Sequence, residues 1–249
     1  MIKVATYNIR KCIGLDWRRR PDRIVRVLSE LQPDVVALQE ADRRFGERKG
    51  TLAGKELRHA AGLRIVPVGP RSASLGWHGN AILVSDSVTV NNVMPVDLPS
   101  LEPRGAIIAD IESDAGSVRV VAAHLALLPA YRSMQVAAIV DALAGLEDGT
   151  PEIVLGDFNE WKGDGGSQAP LERRMRRADA GMSFHAAAPV ARLDRVYFGP
   201  ALKLMKSGVH RSETADLASD HLPVWASLAH ATADTIDASK PAIPAESTV

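Results

Sequence analysis

The chain has 249 residues, of which 46% are hydrophobic and 24% are charged, a composition typical of a folded protein rather than a disordered or membrane-embedded one. It has 30 basic residues (Lys and Arg) and 30 acidic residues (Asp and Glu), so its formal net charge is zero. Because a protein that coats nucleic acid usually has a basic excess, neutrality argues against such a protein but not against an enzyme that handles one phosphate.

Short strand-forming segments recur along the chain, and most are rich in Val, Ile, Leu and Ala. They are predicted at Ile2–Asn8, Asp34–Gln39, Asn80–Ser85, Val88–Val96, Gly105–Ile111, Val118–His124, Glu152–Gly156, Leu193–Phe198 and Pro223–Leu228. Two segments, Pro21–Leu31 and Tyr131–Leu146, instead have apolar residues at helical spacing. Thr51–Ala61 and Ser167–Ala178 are weaker helix candidates.

The order of these elements predicts the fold class. Strands occur in adjacent groups as well as in alternation with helices, which indicates a mixed α/β fold rather than a regular βαβ repeat. Residues 1–229 contain all of the predicted elements. Residues 230–249 are rich in Ala, Thr, Ser, Asp and Pro and have no apolar period, which predicts a disordered tail.

The cysteine count and the apolar segments predict a cytoplasmic location. Cys12 is the only cysteine, so no intrachain disulfide can form, as is usual in a reducing compartment. Residues 1–9 read as a strand followed by polar residues and not as a long apolar signal region. No stretch approaches the roughly 18 apolar residues that a membrane-spanning helix needs.

Polar side chains stand where several predicted strands end. They are Asn8, Glu40, His124, Asp157, Asn159, Asp194, Asp220 and His221. Strand ends are rigid and can hold such groups in a fixed geometry. Mg²⁺ and similar cations need oxygen ligands, and this set offers carboxylates and amides but no cysteine or clustered histidine of the kind that zinc favours. The pattern therefore predicts a site for Mg²⁺ or Mn²⁺.

Each of these residues also has an ordinary structural explanation when taken alone. A Glu after a strand is more often a surface residue than a ligand, and a lone His at a strand end is more often a satisfied polar group. Asp-His before Leu-Pro (220–223) suits a turn, and Gly-Asp-Phe-Asn (156–159) suits an Asx turn. These explanations account poorly for the presence of all the residues in one chain.

The polar residues lie within short sequence blocks. The blocks are Thr-Tyr-Asn-Ile (6–9), Leu-Gln-Glu (38–40), Ala-His-Leu (123–125), Leu-Gly-Asp-Phe-Asn (155–159), Leu-Asp-Arg-Val (193–196) and Ser-Asp-His-Leu-Pro (219–223). In content and order they resemble the signature blocks of the endonuclease/exonuclease/phosphatase superfamily. The resemblance implies a catalytic domain over residues 1–229, folded as a four-layer α/β sandwich of two packed mixed β-sheets flanked by helices. It places the site at one edge of the sheets.

The resemblance also implies a role for each position. Glu40 resembles the main metal ligand, and Asn8 and Asp220 resemble residues near the metal. Asp157 resembles the group that orients or deprotonates the attacking water. Asn159 resembles a donor to a phosphate oxygen.

Three further positions resemble the two histidines of the family's site and the carboxylate that orients one of them. His221 resembles the imidazole at the scissile phosphate, and Asp194 resembles the carboxylate that selects its tautomer. His124 resembles the second histidine of the nuclease and lipid-phosphodiesterase branches. The chemistry agrees, because a phosphoryl transition state gathers negative charge that a metal, an imidazolium and an amide donor can stabilise. A carboxylate behind a histidine raises its basicity.

The chain departs from two branches of the superfamily. It has Ala-His-Leu-Ala (123–126) where apurinic endonucleases carry a Tyr-Val-Pro-Asn type block, which argues against abasic-site repair. In the pancreatic deoxyribonuclease branch a Glu orients the second histidine, and His78 occupies that region here. Two facing imidazoles would disfavour double protonation, so the charge of His124 stays open at this stage.

Four residues are candidates for contacts with the substrate. Arg10 follows Asn8 closely and is interpreted with equal weight as a phosphate clamp or as a surface residue. Arg104 is a similar candidate, and His78 is a third. Trp161 either forms a wall of the pocket or packs in the core.

These features predict a metal-dependent hydrolase that cleaves a phosphoester bond. The first hypothesis is a phosphodiesterase or phosphatase for a small or lipid-derived phosphate, which uses Mg²⁺ or Mn²⁺ and a histidine to assist attack by water. The alternative is a DNA or RNA endo- or exonuclease, which would need a basic groove that neutral charge does not indicate. The third is a non-catalytic scaffold of the same fold, and the intact polar positions argue against it.

Overall fold

The computed structural model of the chain describes residues 1–43, 48–69, 73–146 and 148–231. Within these residues the strands are β1 Ile2–Asn8, β2 Val35–Gln39, β3 Leu63–Ile65, β4 Ala81–Ser85, β5 Thr89–Leu98, β6 Arg104–Ser113, β7 Gly116–His124, β8 Glu152–Asp157, β9 Arg176–Arg177, β10 Asp194–Phe198, β11 Leu202–Val209 and β12 Val224–His230. The α-helices are α1 Pro21–Leu31, α2 Gly54–Ala61, α3 Pro129–Ala144, α4 Ala169–Arg174 and α5 Ala215–Ala218.

The strands form two six-stranded mixed sheets. The strand order is β11-β12-β1-β2-β4-β3 in the first sheet and β5-β6-β7-β8-β10-β9 in the second. The pairs β1–β2 and β7–β8 are parallel, and their other neighbours are antiparallel. Asp157, the last residue of β8, is paired on both sides, with His124 of β7 and Asp194 of β10. Asn8, the last residue of β1, is paired with Gln39 of β2.

Successive side chains of the central strands point to opposite faces, so each sheet has one face that packs against the other sheet. In β7, Val120 and Ala122 lie in a core shared by both sheets, whereas Val121 and Ala123 face the opposite side. The strands β1, β8 and β10 alternate in the same way. Their contributions to the shared core are Ile2, Val4, Ile153, Leu155, Val196 and Phe198.

Helices cover the outer face of each sheet. The apolar residues of α1 and Leu57 of α2 pack against Ala5 and Tyr7 on the outer face of the first sheet. Val136 and Ile139 of α3 pack on the outer face of the second sheet. The layers run helix, sheet, sheet, helix, so the predicted four-layer α/β sandwich is confirmed.

The predicted elements differ from the structure mainly at the edge strands of the two sheets. All predicted strands are present, and α1 has the predicted bounds. The predicted helix Ser167–Ala178 is wrong beyond Arg174, because Met175 is extended and β9 pairs with β10 instead. The edge strand β11 was not predicted, since Lys203 and Lys206 interrupt its apolar residues.

The described part of the chain ends just after the last strand. β12 ends at His230, one residue beyond the predicted end of the domain. Residues 232–249 of the predicted tail lie outside the described residues, so disorder there stays a prediction. In the described part of the chain, none of the helices is long and apolar enough to cross a membrane.

Gly156 allows β7 and β8 to pair closely beside the end of β8. A Cβ at this position would lie 1.9 Å from the carbonyl oxygen of Ala123 on the neighbouring strand. The residue that precedes Asp157 must therefore be glycine if the parallel pairing is to continue to the strand end.

Two buried tyrosines provide a matched test of the packing. The hydroxyl of Tyr7 has no hydrogen-bond partner among the described residues, whereas the hydroxyl of Tyr197 donates to Oε1 of Gln168 at 2.5 Å. We expect Tyr7→Phe to raise the free energy of unfolding by about 1 kcal/mol and Tyr197→Phe to lower it by about 1 kcal/mol. Urea denaturation measures both changes. Equal losses in the two variants would contradict the unpaired state of the Tyr7 hydroxyl.

Candidate active site

Three of the predicted site residues form one row across neighbouring strands of the second sheet. His124 pairs with Asp157 in the parallel register of β7 and β8, and Asp157 pairs with Asp194 in the antiparallel register of β8 and β10. Each continues the inward-facing alternation of its strand. The row therefore lies where the apolar core between the sheets ends.

Asn8 reaches this row from the first sheet. Its Nδ2 donates to Oδ2 of Asp157 at 2.9 Å, and its Oδ1 accepts from the backbone N–H of Arg10 at 3.1 Å. The hydroxyl of Ser219 donates to the carbonyl of Asn8 at 2.7 Å. This places the Asp220–His221 segment against the end of β1.

His221 and Asp194 form a buried pair. Nδ1 of His221 lies 2.8 Å from Oδ2 of Asp194, which also accepts the hydroxyl of Ser183 at 2.5 Å. The bond with Asp194 directs Nε2 of the ring toward Asp157, whose Oδ2 is 3.8 Å away. Sequence reasoning missed Ser183, which stands in a loop and outside any of the motif blocks.

The charges of this cluster shift two pKa values. Burial alone would lower the pKa of His221, but the carboxylates of Asp194 and Asp157 together outweigh it and raise that pKa above its ordinary value. Burial raises the pKa of Asp157, and the neighbouring charge of His221 opposes the shift. Near neutral pH the site therefore holds an imidazolium next to a carboxylate that is more basic than usual.

His124 is held in the neutral form. Its burial lowers the pKa well below the ordinary value, and the positive charges of Arg104, His221 and Lys11 lower it further. His78, which was predicted to face it, has other partners. Nδ1 of His78 lies 3.0 Å from Nη1 of Arg48, and its Nε2 lies 3.2 Å from Oδ1 of Asp97.

Asn159 turns back toward the row from the loop after β8. It has φ of +49°, and its backbone N–H donates to Oδ1 of Asp157 at 3.0 Å. Its Nδ2 donates to the carbonyl of Leu125 at 2.9 Å, which leaves the second hydrogen of that nitrogen for a further acceptor. Gly-Asp-Phe-Asn (156–159) therefore forms an Asx-type turn and also places Asn159 beside the row.

The predicted metal residues converge on the turn Arg10–Cys12, which follows β1. Lys11 forms an ion pair with the carboxylate of Glu40, and its backbone N–H donates to the carbonyl of Glu40 at 3.0 Å. Nε of Arg10 lies 3.4 Å from Oδ2 of Asp220. With the bond from Arg10 to Asn8, all three predicted ligands contact this turn.

An open cleft of about 390 Å³ lies beside the row. Its lining includes the site residues Glu40 and His124 and the predicted substrate contacts His78 and Arg104. The remaining lining residues are mainly charged and are Lys11, Asp42, Arg43, Arg48, Gly79, Glu102 and Pro103. The cleft is therefore polar and is lined by charges of both signs.

Trp161 and Phe184 form an aromatic surface on the His221 side. The ring of Phe184 lies 4.8 Å from the ring of His221 and 5.7 Å from the ring of Trp161. Trp161 is 62% exposed, so the alternative that it packs in the core is wrong. It stands beside the site with a free apolar face.

A buried ion pair supports the loop that follows His124. Nη2 of Arg132 in α3 lies 3.2 Å from Oε2 of Glu160, and Nη1 of Arg132 donates to the carbonyl of Leu127 at 2.5 Å. Oε1 of Gln135 accepts the N–H of Ala126 at 2.8 Å. The first turns of α3 thereby fix the loops after β7 and β8 relative to each other.

Two groups of residues could hold a cation. Among the described residues, Asp157, Asp194 and His221 place ligand atoms within 4.8 Å of one another. However, Oδ2 of Asp194 already accepts two hydrogen bonds, one of them from the His221 ring. Its other carboxylate oxygen, Oδ1, is buried and has no hydrogen-bond partner among the described residues. The second group consists of Glu40 and Asp220, whose side chains are 28% and 23% exposed and offer carboxylate oxygens of the kind that Mg²⁺ prefers.

A sequence model of the endonuclease/exonuclease/phosphatase family matches residues 5–221, which span the row, the turn and the His221 segment. The chain belongs to this family. Members of the family are hydrolases of phosphoester bonds and typically depend on divalent metals. The predicted family membership is confirmed.

Three similar proteins show how far the likeness extends. The Escherichia coli K12 protein YbhP, described as uncharacterized, is 30% identical over 161 residues, which are 61% of this chain and 63% of YbhP. A functionally unknown conserved protein from Enterococcus faecalis V583 has a TM-score of 0.75 at 17% identity and covers 92% of this chain and 100% of its own. A mannosyl-6-phosphatase from Bacteroides thetaiotaomicron has a TM-score of 0.71 at 18% identity, and the match covers 92% of this chain and 99% of that protein.

Ser183 provides a test of the buried pair. We expect Ser183→Ala to lower the turnover of bis-p-nitrophenyl phosphate about tenfold, because a supporting hydrogen bond on Asp194 is lost. The control is Ser133→Ala on the exposed face of α3, which should leave turnover unchanged. Both values are corrected for the folded fraction. Equal turnover in the two variants would mean that Ser183 does not position Asp194.

Proposed function

We propose that the chain is a Mg²⁺- or Mn²⁺-dependent phosphoesterase that hydrolyses a small or lipid-derived phosphate by direct attack of water. The observation that carries the proposal is the meeting of Asp157, Asn8, His221 and Asp194 at one edge of the sheets. A non-catalytic scaffold would have no reason to bury two carboxylates around one imidazole, because buried charge is costly.

The donor set fits a hard divalent cation. Glu40, Asp220 and Asn8 offer carboxylate and amide oxygens, and the side chains of Glu40 and Asp220 remain partly open to solvent. These residues would hold the metal. When bound, it would act as a Lewis acid that polarises a phosphoryl oxygen.

The remaining residues have roles that follow from their charges. Asp157, with its raised pKa, accepts a proton from the attacking water, while Asn8 and the N–H of Asn159 hold its carboxylate in place. His221 carries the positive charge that stabilises the phosphoryl oxygens, and Asp194 fixes the orientation of its ring. His124, held neutral, offers one further hydrogen bond.

Two features support a small organic phosphate as the substrate. The cleft of about 390 Å³ admits a single phosphorylated group, and it is lined on the Glu40 side by Lys11 and Arg104. On the His221 side, Trp161 and Phe184 offer an apolar surface to the organic part of the ester. The guanidinium of Arg10 lies beside the carboxylate of Asp220, so this candidate for a phosphate contact stands next to a proposed metal ligand.

The alternative of a nuclease has one observation in its favour. Four cationic side chains line the same cleft beside three carboxylates and could contact a phosphate backbone, although the chain is neutral overall. The cations are Arg43, Arg48, Arg104 and Lys11. A substrate panel separates the two functions.

The panel contains bis-p-nitrophenyl phosphate, p-nitrophenyl phosphate, phospholipids, plasmid and single-stranded DNA, each with Mg²⁺ and with Mn²⁺. We expect hydrolysis of a small or lipid phosphoester that stops in EDTA. The matched control is Glu40→Gln, which should weaken metal binding at least tenfold and change the free energy of unfolding by less than about 0.5 kcal/mol. Full activity in EDTA after verified metal removal would overturn the metal requirement, and selective cleavage of DNA would favour the nuclease.

The His221–Asp194 pair is tested by a double-mutant cycle. We expect His221→Ala and Asp194→Ala each to lower turnover by about a thousandfold, and the double variant to lose little more, because residues that act as one unit are non-additive. Turnover is measured with bis-p-nitrophenyl phosphate and corrected for the folded fraction. Strictly additive losses would mean that the two residues act separately.

A further inference from the structure

The turn Arg10–Cys12 has an unusual backbone. Three consecutive residues, none of them glycine, have positive φ: 44° for Arg10, 55° for Lys11 and 61° for Cys12. Glu40, which faces the turn from the end of β2, also has a positive φ of 52°. L-residues adopt this conformation rarely and at an energetic cost, so surrounding contacts must maintain it.

The site itself supplies several of these contacts. The backbone N–H of Lys11 donates to the carbonyl of Glu40 at 3.0 Å, and the N–H of Arg10 donates to Oδ1 of Asn8 at 3.1 Å. Inside the turn, the N–H of Cys12 donates to the carbonyl of Ile9 at 2.7 Å. The strained turn is thus tied to two of the residues that are proposed to hold the metal.

The result is a pairing of cations with carboxylates. The ammonium of Lys11 contacts the carboxylate of Glu40, and the guanidinium of Arg10 lies beside Asp220. Arg10 is fixed from a second side, because its guanidinium lies 4.6 Å from the centre of the Trp17 ring. Lys11 has a flexible side chain that is 26% exposed and lines the cleft.

A carboxylate that binds a divalent cation through the same oxygens cannot also keep a close ammonium contact without strong repulsion between the two cations. Lys11 must therefore leave Glu40 when a metal is bound there. The space open to its ammonium is the cleft, which Arg104 and His124 also line.

We infer that Lys11 is an exchangeable counter-ion, which neutralises Glu40 before the metal binds and contacts the substrate phosphate afterwards. This inference rests on the proposed function, because it takes Glu40 as a metal ligand. It deepens that proposal by assigning Lys11 to binding of the phosphate group. It also predicts that Lys11 weakens metal binding, which is the opposite of what a supporting residue would do.

Metal affinity tests the first half without any activity assay. Mg²⁺ is titrated calorimetrically into the wild type, Lys11→Met, Lys11→Arg and Lys203→Met. Lys203→Met serves as the control. Lys203 is an exposed lysine on β11 and lies level with the start of β1, whereas Asn8 lies at the end of β1. We expect Lys11→Met to bind Mg²⁺ about fivefold more tightly, the scale of a partly exposed ion pair, and the other two variants to match the wild type.

Phosphate affinity tests the second half. Inorganic phosphate is titrated into each Mg²⁺-loaded protein, and we expect Lys11→Met alone to bind it at least fivefold more weakly. Urea denaturation confirms that each variant is folded. Unchanged or weaker Mg²⁺ binding by Lys11→Met, or unchanged phosphate binding, would overturn the inference and leave the proposed function standing. Absence of Mg²⁺ binding by the wild type would instead overturn the proposed metal site and the inference with it.

Discussion

The site depends on the hydrogen bond from Asn8 to Asp157, which joins the ends of the two sheets. Asn8 closes the central strand of the first sheet, and Asp157 closes the corresponding strand of the second. His124 and Asp194 stand beside Asp157 in register, so the positions of both follow from the position of β8. Because the core between the sheets is close-packed, a shift of one sheet against the other would break this bond and displace the whole row.

The buried charges of the site depend on one another. Asp157 and Asp194 lie beneath the surface within reach of one imidazole, and their combined field keeps His221 protonated despite its burial. Removal of His221 would leave two carboxylates in a low-dielectric site without the cation that lies between them. The electrostatics and the chemistry therefore have the same requirement, which is one imidazolium between two carboxylates.

Much of the fold and the identity of the row could be predicted from the sequence, because both depend on local patterns. Runs rich in Val, Ile, Leu and Ala predict the strands, and the polar residues that follow these runs lie in short blocks that resemble those of the family. Ser183 could not be predicted because it lies outside the motif blocks, and the ion pair between Lys11 and Glu40 could not because no pattern along the chain shows that these two side chains meet. The left-handed turn at Arg10 was equally hidden, since no glycine indicates it.

The net charge of a chain is a weak guide to its substrate for a physical reason. Charges separated by more than a Debye length of about 8 Å are largely screened at physiological ionic strength. A phosphate in the cleft therefore responds to Lys11, Arg48 and Arg104 nearby and hardly at all to acids on distant surfaces. The preference for one phosphate ester over another therefore arises from the residues that line the cleft and not from the net charge of the chain.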